Sequence, residues 1–297
     1  MKNIIVEVGS TVTKFDKYDG KNIKRISSKT IEFKKNYKKD NSLDDEDVET
    51  LINSVKVLQE KYNNIYVCGT SIFRSLTEKQ KKEFLDKFYN ATKIVFEIID
   101  QNRENELTVL GATKNVPGSV AVLVGGGGST EIAIYDNGIK ETVNSEIGVI
   151  DIMNKYQDLA NDLATTDIEE VKKTIREKLR LPKQKVETLI LAGGGHLYFA
   201  LNSGVSYKEN SLYSDKLQPF MMDIETRIDD TKRYYKEISL DEIRKRVDDP
   251  AWWYATRAMC AFVLVVAEEL DAKYIVPTDI SMVNGLLENN QKRVMRR

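Results

Sequence analysis

Val120-Ala121-Val122-Leu123-Val124 runs straight into Gly125-Gly126-Gly127-Gly128-Ser129-Thr130-Glu131, and the fold follows from how this stretch is read. Five consecutive apolar residues read as a buried strand. The glycines turn the chain tightly, because a residue without Cβ tolerates backbone conformations closed to others. A second apolar run, Ile132 to Tyr135, leaves the turn and ends at Asp136-Asn137-Gly138, a hairpin signal. The pattern is strand, Gly-rich turn, strand, hairpin.

The same pattern opens the chain. Ile4-Ile5-Val6 leads into Glu7-Val8-Gly9-Ser10-Thr11, a second strand reaches Tyr18-Asp19-Gly20, and a third lies within Ile23 to Phe33. Gly9-Ser10-Thr11 stands 119 positions before Gly128-Ser129-Thr130. The match predicts two similar domains, residues 1–116 and 117–297, joined near Pro117-Gly118 and facing each other across a cleft. A third Gly-rich turn, Gly193-Gly194-Gly195, follows the strand-like Leu189 to Ala192 and precedes a helix that starts at His196.

Helical signals lie between the strands. Val48, Leu51, Ile52, Val55 and Leu58 recur at helical spacing over 43–62, with Ser42 as the expected cap. Thr77 caps a second amphipathic run to Tyr89, and a third helix covers Glu104 to Ala112. Strands are expected at 64–68, 94–99 and 273–276, and helices within 148–180 and at 280–289. Strands alternating with helices define an α/β class, with mixed sheets flanked by helices.

Composition narrows the function classes. In 297 residues, 41% hydrophobic and 31% charged is the balance of a globular chain, not of a disordered or fibrous one. The longest apolar run, Met259 to Ala267, is too short to span a bilayer. No signal peptide is read at Met1-Lys2-Asn3, so a cytoplasmic location is expected. Two cysteines, Cys68 and Cys260, make neither a disulfide framework nor a zinc site, and both sit in apolar runs as small buried hydrophobes. One histidine, His196, argues against a Ser-His-Asp triad. The 45 Lys and Arg against 46 Asp and Glu describe the whole molecule, not one site, and do not exclude a polyanionic ligand.

Gly-rich turns bearing hydroxyls have a chemical use. Their N–H groups can approach a phosphate closely, and Ser and Thr add donors. The same glycines can equally serve only as tight hairpins. The spacing fits neither the P-loop nor the dinucleotide-binding fingerprint.

With these residues in view, the chain resembles the exopolyphosphatase and guanosine pentaphosphate phosphatase (Ppx/GppA) family, within the actin/Hsp70/sugar-kinase superfamily. That family carries D-x-G-S-N-S near its start and D-x-G-G-G-S-T-E at its second domain. Glu7 to Val12 and Val124 to Glu131 stand in these places. Gly69-Thr70-Ser71-Ile72-Phe73-Arg74 is similar to the family's G-T-x-x-x-R, Glu104 with Gly111 to its E-E-A-x-x-x-x-x-G, and Asn144 to Gly148 to its S-x-x-x-G. The order holds from residue 4 to about 290. Departures are Glu7 for Asp, Thr11-Val12 for Asn-Ser, Val124 for the second Asp, Gly193-Gly194-Gly195-His196 for G-x-S-G-T, and Val283-Asn284-Gly285 for R-E-G.

The resemblance implies two actin-like domains and Mg²⁺-dependent release of terminal phosphate from polyphosphate or a phosphorylated guanosine nucleotide, with a homodimer as the expected assembly. Glu104 is then the base that activates water, with Arg74 and Glu131 beside it as catalytic residues. Gly9, Ser10, Thr11, Lys14, Gly127, Gly128, Ser129 and Thr130 hold phosphate, and Glu7 and Glu131 hold the metal. On residue type alone, Glu104 also reads as a solvated helix start, and Arg74 and Lys14 as surface cations. The runs Lys34, Lys35, Lys38, Lys39 and Lys292, Arg293, Arg296, Arg297 read as polyphosphate contacts or as solvated loop and tail. Trp252-Trp253-Tyr254 reads as core or interface. Loss of the second Asp motivates an alternative, a phosphate- or nucleotide-binding regulator without hydrolysis. Gly193-Gly194-Gly195 motivates another, an ATP-binding kinase-like protein.

Overall fold

Ile4, Ile5 and Val6 lie in the middle of β1 (Asn3–Val8) and are fully buried, as a strand covered on both faces must be. In the computed structural model, which describes residues 3–10, 12–19, 23–38, 40, 42–247 and 250–288, β1 is the central strand of the first of two units. β1 is followed by β2 (Val12–Tyr18), β3 (Ile23–Thr30), α1 (Asp45–Gln59), β4 (Asn64–Gly69), α2 (Ser71–Arg74), α3 (Glu78–Thr92), β5 (Phe96–Ile98) and α4 (Gln101–Thr113). The sheet order is β3-β2-β1-β4-β5, with β1 antiparallel to β2 and parallel to β4. One face presents Ile4, Val6, Val8, Phe15, Val67 and Phe96 to the apolar faces of α1 and α3. Thr77 caps α3 through a capping box with Gln80, as expected. Asp44, not Ser42, caps α1: its carboxylate accepts from the Glu46 N–H, and the Ser42 hydroxyl turns to Asp40. Gly20 of the expected first hairpin lies outside the described residues.

The second unit repeats the plan. It holds β6 (Ser119–Gly125), β7 (Thr130–Asp136), β8 (Ile139–Ser145), α5 (Val149–Lys155), α6 (Ile168–Lys178), β9 (Thr188–Ala192), α7 (His196–Asn202), β10 (Lys208–Glu209), β11 (Phe220–Asp223), α8 (Ile224–Lys236), α9 (Leu240–Arg246), α10 (Pro250–Glu269), β12 (Tyr274–Pro277) and α11 (Met282–Glu288). The seven-stranded sheet runs β10-β11-β12-β9-β6-β7-β8. Read from the β8 edge, its five strands β8-β7-β6-β9-β12 copy β3-β2-β1-β4-β5 in order and in every parallel or antiparallel sense. The expected α/β class with two mixed, helix-flanked sheets holds, and β10 and β11 are additions that the sequence patterns left unread.

The repeat has a different register from its matching letters. Glu7 pairs with Lys14 across β1 and β2, and Val124 pairs with Glu131 across β6 and β7. Glu7 therefore corresponds to Val124 and Lys14 to Glu131, a separation of 117 residues rather than 119. The turns agree: the Gly9 N–H donates to Val12 O at 3.1 Å, and the Gly126 N–H to Ser129 O at 2.9 Å. A slip of two residues keeps every side chain on its own face, so the letter match survives in the wrong register.

The chain divides inside α4: one unit runs to Glu104 and resumes at Leu286, and the other is Asn105–Gly285. The boundary precedes Pro117-Gly118, because α4 carries the chain onward as continuous helix and the Pro-Gly break only turns it into β6. Within the second unit, α11 crosses α4 with almost no separation. A Cβ on Gly285 would lie 1.8 Å from Leu107 O, and one on Gly111 would lie 2.9 Å from Gly285 N.

The apolar run of the sequence is the middle of α10, with Ala258 and Cys260 to Ala267 almost wholly buried. No helix among the described residues is long and apolar enough to cross a membrane. One turn earlier on α10, Arg257 is 1% exposed, and all its donors meet carbonyls. Nε reaches Tyr234 O at 2.8 Å, Nη1 reaches Leu159 O and Asn161 O, and Nη2 reaches Asp162 O and Ile238 O. One planar guanidinium thus ties the 159–162 stretch, the last turn of α8 and the α8–α9 link to the central helix.

Arg257→Lys is expected to lower stability by about 3 kcal/mol, because an ammonium has three donors, lacks the planar fork and strands buried carbonyls. Urea unfolding would show it, and an unchanged midpoint would refute the tie. Gly285→Ala is expected to cost a similar amount, at least about 2 kcal/mol, by forcing α11 off α4.

Candidate active site

In the first unit, the sheet face opposite the α1–α3 core carries polar residues. Strand register places Ser28, Lys14, Glu7, Cys68 and Glu97 in one row across β3, β2, β1, β4 and β5. Lys14 Nζ lies 3.1 Å from Glu7 Oε1, so Lys14 is not simply a solvent-facing cation. Two residues along β2, Asp16 is 1% exposed and held by Arg25 Nε at 2.5 Å. A bulge between Phe15 and Asp16 brings Arg25, rather than Ile26, opposite Asp16. Burial raises the Asp16 carboxyl above the usual range; Arg25 counters this, and the Glu7 charge adds to it. The sequence reading missed Asp16, whose only signal is its place two residues after Lys14 on one strand face.

β4 ends at Gly69, and the chain enters the single turn of α2, which closes on Arg74. Arg74 Nη1 donates to Ile99 O at 3.0 Å and to Glu104 Oε2 at 2.7 Å. Glu104 stands in the first turn of α4, which begins after Asp100; Asp100 Oδ1 accepts the Arg103 N–H at 3.0 Å. Two of the three expected catalytic residues, Arg74 and Glu104, are therefore in direct contact, and Glu104 is a half-buried, paired helix start rather than a solvated one. Burial raises the Glu104 carboxyl above its ordinary value, Arg74 pulls it back, Glu7 pushes it up and Lys14 opposes Glu7. The charges of three side chains, Arg74, Glu7 and Lys14, thus act on the Glu104 carboxyl. Cys68 is fully buried, as expected, and its thiol is pushed well up by burial and the surrounding carboxylates.

The phosphate-binding residues divide by geometry. Gly9 and Ser10 form the β1–β2 turn; the Gly9 N–H is engaged within it, and Ser10 O accepts from Lys34 at 2.9 Å. Thr11 lies outside the described residues. In the second unit, Gly126 O and Gly127 O accept from the first amides of α5, Val149 and Ile150, at 3.1 and 2.9 Å. A Cβ on Gly148 would sit 2.4 Å from Gly127, so only glycine fits under this turn. The turn's carbonyls thus point to α5, while the exposed Gly127 and Gly128 N–H groups donate to nothing among the described residues. Ser129 is half-buried beside them. Thr130 is a correction: its hydroxyl is buried and donates to Ile147 O at 2.7 Å, which ties β7 to the α5 entry instead of facing a ligand. Glu131 is 5% exposed on β7, opposite Val124.

The third glycine turn is closed by the protein itself. Gly193, at φ +85°, donates to Ile280 O at 2.7 Å, and a Cβ there would lie 2.6 Å from Val124 Cγ1. Asp279 Oδ1 accepts the Leu197 and Tyr198 N–H groups at the start of α7. A carboxylate already takes the amides that open α7, so these amides do not favour the ATP-using alternative.

Lys35 pairs with Glu32, and Lys38 lies near Asp44 and Asp45, as solvated loop charges do. Lys39, Lys292, Arg293, Arg296 and Arg297 lie outside the described residues, and of the Trp252 side chain nothing is described. Arg244 stacks on the Trp253 ring at 4.1 Å.

Ordered along the chain, the paired hairpins, the Gly69 to Arg74 turn, Glu104 and the Gly126 to Glu131 turn agree with a known family. The model of the Ppx/GppA phosphatase family matches residues 16–241. The chain belongs to the Ppx/GppA phosphatase family. Solved structures give the same fold at low identity. The Aquifex aeolicus Ppx/GppA phosphatase, in its type II variant, superposes with a TM-score of 0.75 at 19% identity, over 97% of this chain and 99% of that one. An exopolyphosphatase from Cytophaga hutchinsonii gives 0.73 at 17% identity, over 97% of both chains. No curated protein sequence matches significantly. Glu104, Arg74 and the Gly-Gly-Ser-Thr-Glu turn all lie within the matched residues of this Ppx/GppA member, as does Val124.

A raised carboxyl means that the folded state favours the protonated form. Its stabilising contribution is complete below the unfolded Glu range and is lost as pH rises through the folded value. Glu104→Gln is therefore expected to raise the melting temperature at neutral pH and to change it little at acid pH. Equal shifts at both pH values would show that the Glu104 charge is not strained.

Proposed function

We propose that this Ppx/GppA member hydrolyses a terminal phosphoanhydride, of polyphosphate or of a guanosine pentaphosphate-type nucleotide, with Glu104 as the general base. The observation carrying this reading is the 2.7 Å Arg74–Glu104 contact at a half-buried carboxyl whose affinity for a proton is raised. A base poised above the ordinary Glu range takes a proton from water more readily.

In the proposed step, water oxygen bonds to the terminal phosphorus, the bridging P–O bond breaks, and the water proton passes to the Glu104 carboxylate. Arg74 fixes the orientation of that carboxylate, and its planar fork suits phosphoryl oxygens. Lys14 supplies further positive charge. The exposed Gly127 and Gly128 N–H groups, with Ser129, are the donors we assign to phosphate in the second unit.

The fit to Mg²⁺ rests on Glu7. Its Oε1 already faces Lys14 at 3.1 Å, and no cluster of three or more metal-ligating side chains occurs among the described residues. This suits an ion that arrives on the substrate's phosphates and takes one or two protein carboxylates, as Mg²⁺ does, rather than a resident caged ion. Glu7 is the ligand we assign in the first unit and Glu131 in the second. When bound, Mg²⁺ supplies charge neutralisation of the phosphate oxygens.

Phosphate release from polyphosphate, guanosine pentaphosphate and ATP, each with and without Mg²⁺, tests the proposal. Glu104→Gln is expected to lower kcat by about 10²–10⁴-fold with the fold intact. The acid limb of kcat/KM in the unaltered protein should lie above the ordinary Glu range. Undiminished release in Glu104→Gln would eliminate the base.

Val124 favours a second reading. It occupies the place corresponding to Glu7 and packs its methyl against Gly193, so the second hairpin lacks the first one's acid. Calorimetry showing ligand binding without any phosphate release would select a regulator over a hydrolase.

A further inference from the structure

The second unit contains two buried arginines in opposite states. Arg257 meets five carbonyls. Arg227, on α8, is 3% exposed and has one partner: Nη2 donates to Cys260 Sγ at 3.1 Å. Its Nε and Nη1 have no hydrogen-bond partner among the described residues. A guanidinium cannot shed its charge, and an unanswered buried charge is strongly unfavourable.

The protein's own groups do not answer it. Asp230, one turn along α8, accepts the Ser206 N–H at 2.7 Å with Oδ2 and Arg233 at 2.8 Å with Oδ1. Burial pushes the Cys260 thiol up, against the pull of Arg227, so the sulfur is a neutral thiol. Burial and the Arg227 charge push His196 down to about 3, so it adds no charge of its own.

These groups line a cavity where β9 and β12 end and α7 begins, next to the Gly193 turn. Its polar wall is Arg227, His196, Thr256 and Cys260; Phe199 and Met222 form part of the apolar wall. About 10 Å³ is open to the centre of a water-sized sphere, room for one small occupant and not for a phosphate group. A water would fill the volume but leave the charge.

We propose that this cavity is a binding site for a small inorganic monoanion of chloride size, held by Arg227 Nε and Nη1. It is separate from the phosphate chemistry above. The anion neutralises the guanidinium and links α7, α8 and α10, so halide concentration sets part of the stability of the second unit.

Thermal melts of the full chain in sodium chloride, bromide and glutamate at equal ionic strength test this, since glutamate is too large to enter. The melting temperature is expected to be higher in either halide, rising about 3 °C per tenfold halide once the site fills. Arg227→Met, a substitution of similar volume, should abolish the halide dependence. Crystals of the unaltered protein grown in bromide should show an anomalous peak beside Nε and Nη1, which decides the matter even if the variant does not fold. Identical melts in chloride and glutamate, halide dependence kept in Arg227→Met, or a water refined in the cavity without bromide would each overturn the proposal.

Discussion

Hairpin register is the constraint on which the remaining geometry rests. Two four-residue turns, each closed by a glycine N–H to a carbonyl three residues on, lock β1 to β2 and β6 to β7. Once Glu7 stands opposite Lys14, parallel pairing with β4 places Cys68 beside Glu7, and β5 places Glu97 beside Cys68. The polar row is a consequence of pleat parity: the alternate residues Ile4, Val6 and Val8 must face the helices to make a core. Glu7 and Cys68 in the middle of that row are buried, and the Glu7 charge acts on the half-buried Glu104 carboxyl. The same carboxylate on an exposed helix would titrate as an ordinary Glu.

The two copies of the hairpin have diverged in their charges while keeping their shape. The first keeps an acid and a base in contact. The second has an apolar residue in the acid's place and an acid in the base's place. Its turn is rebuilt around α5, whose first amides take up the turn carbonyls and leave two N–H groups exposed. The third glycine turn, similar in letters, has a different outcome: Ile280 O takes the Gly193 N–H, and Asp279 takes the amides of α7 that follow. Glycine content says that a turn is tight. Which way its amides face depends on what packs against the carbonyls.

This separates what was legible in the sequence from what was not. Strands, helices and the Thr77 cap follow from local signals, and the internal repeat follows from order. Glu104 and Arg74 came from motif resemblance, since neither a polar helix start nor a cation after an apolar pair is distinctive on its own. The 117-residue register was hidden because it is fixed by pairing across strands, and letters do not record pairing. Asp16 was hidden by the bulge that turns Arg25 toward it. Thr130 looked like a ligand by type, yet lies on the buried side of its turn. Arg227 and Arg257 are both arginines within long helices, and nothing local tells a fully partnered guanidinium from one with two idle nitrogens.

The path of the chain through α4 and α11 bears on how the protein is made. The first unit takes up its last piece only from Leu286, after the whole second unit, and α11 reaches that point by lying directly on α4. During synthesis, the five strands of the first sheet emerge early, but their unit is incomplete until the segment beginning at Leu286 has followed the whole second unit. The second unit is one uninterrupted segment and has no such wait. The chain is therefore organised as one domain inserted into another, and the order in which the two can finish folding is the reverse of the order in which they begin.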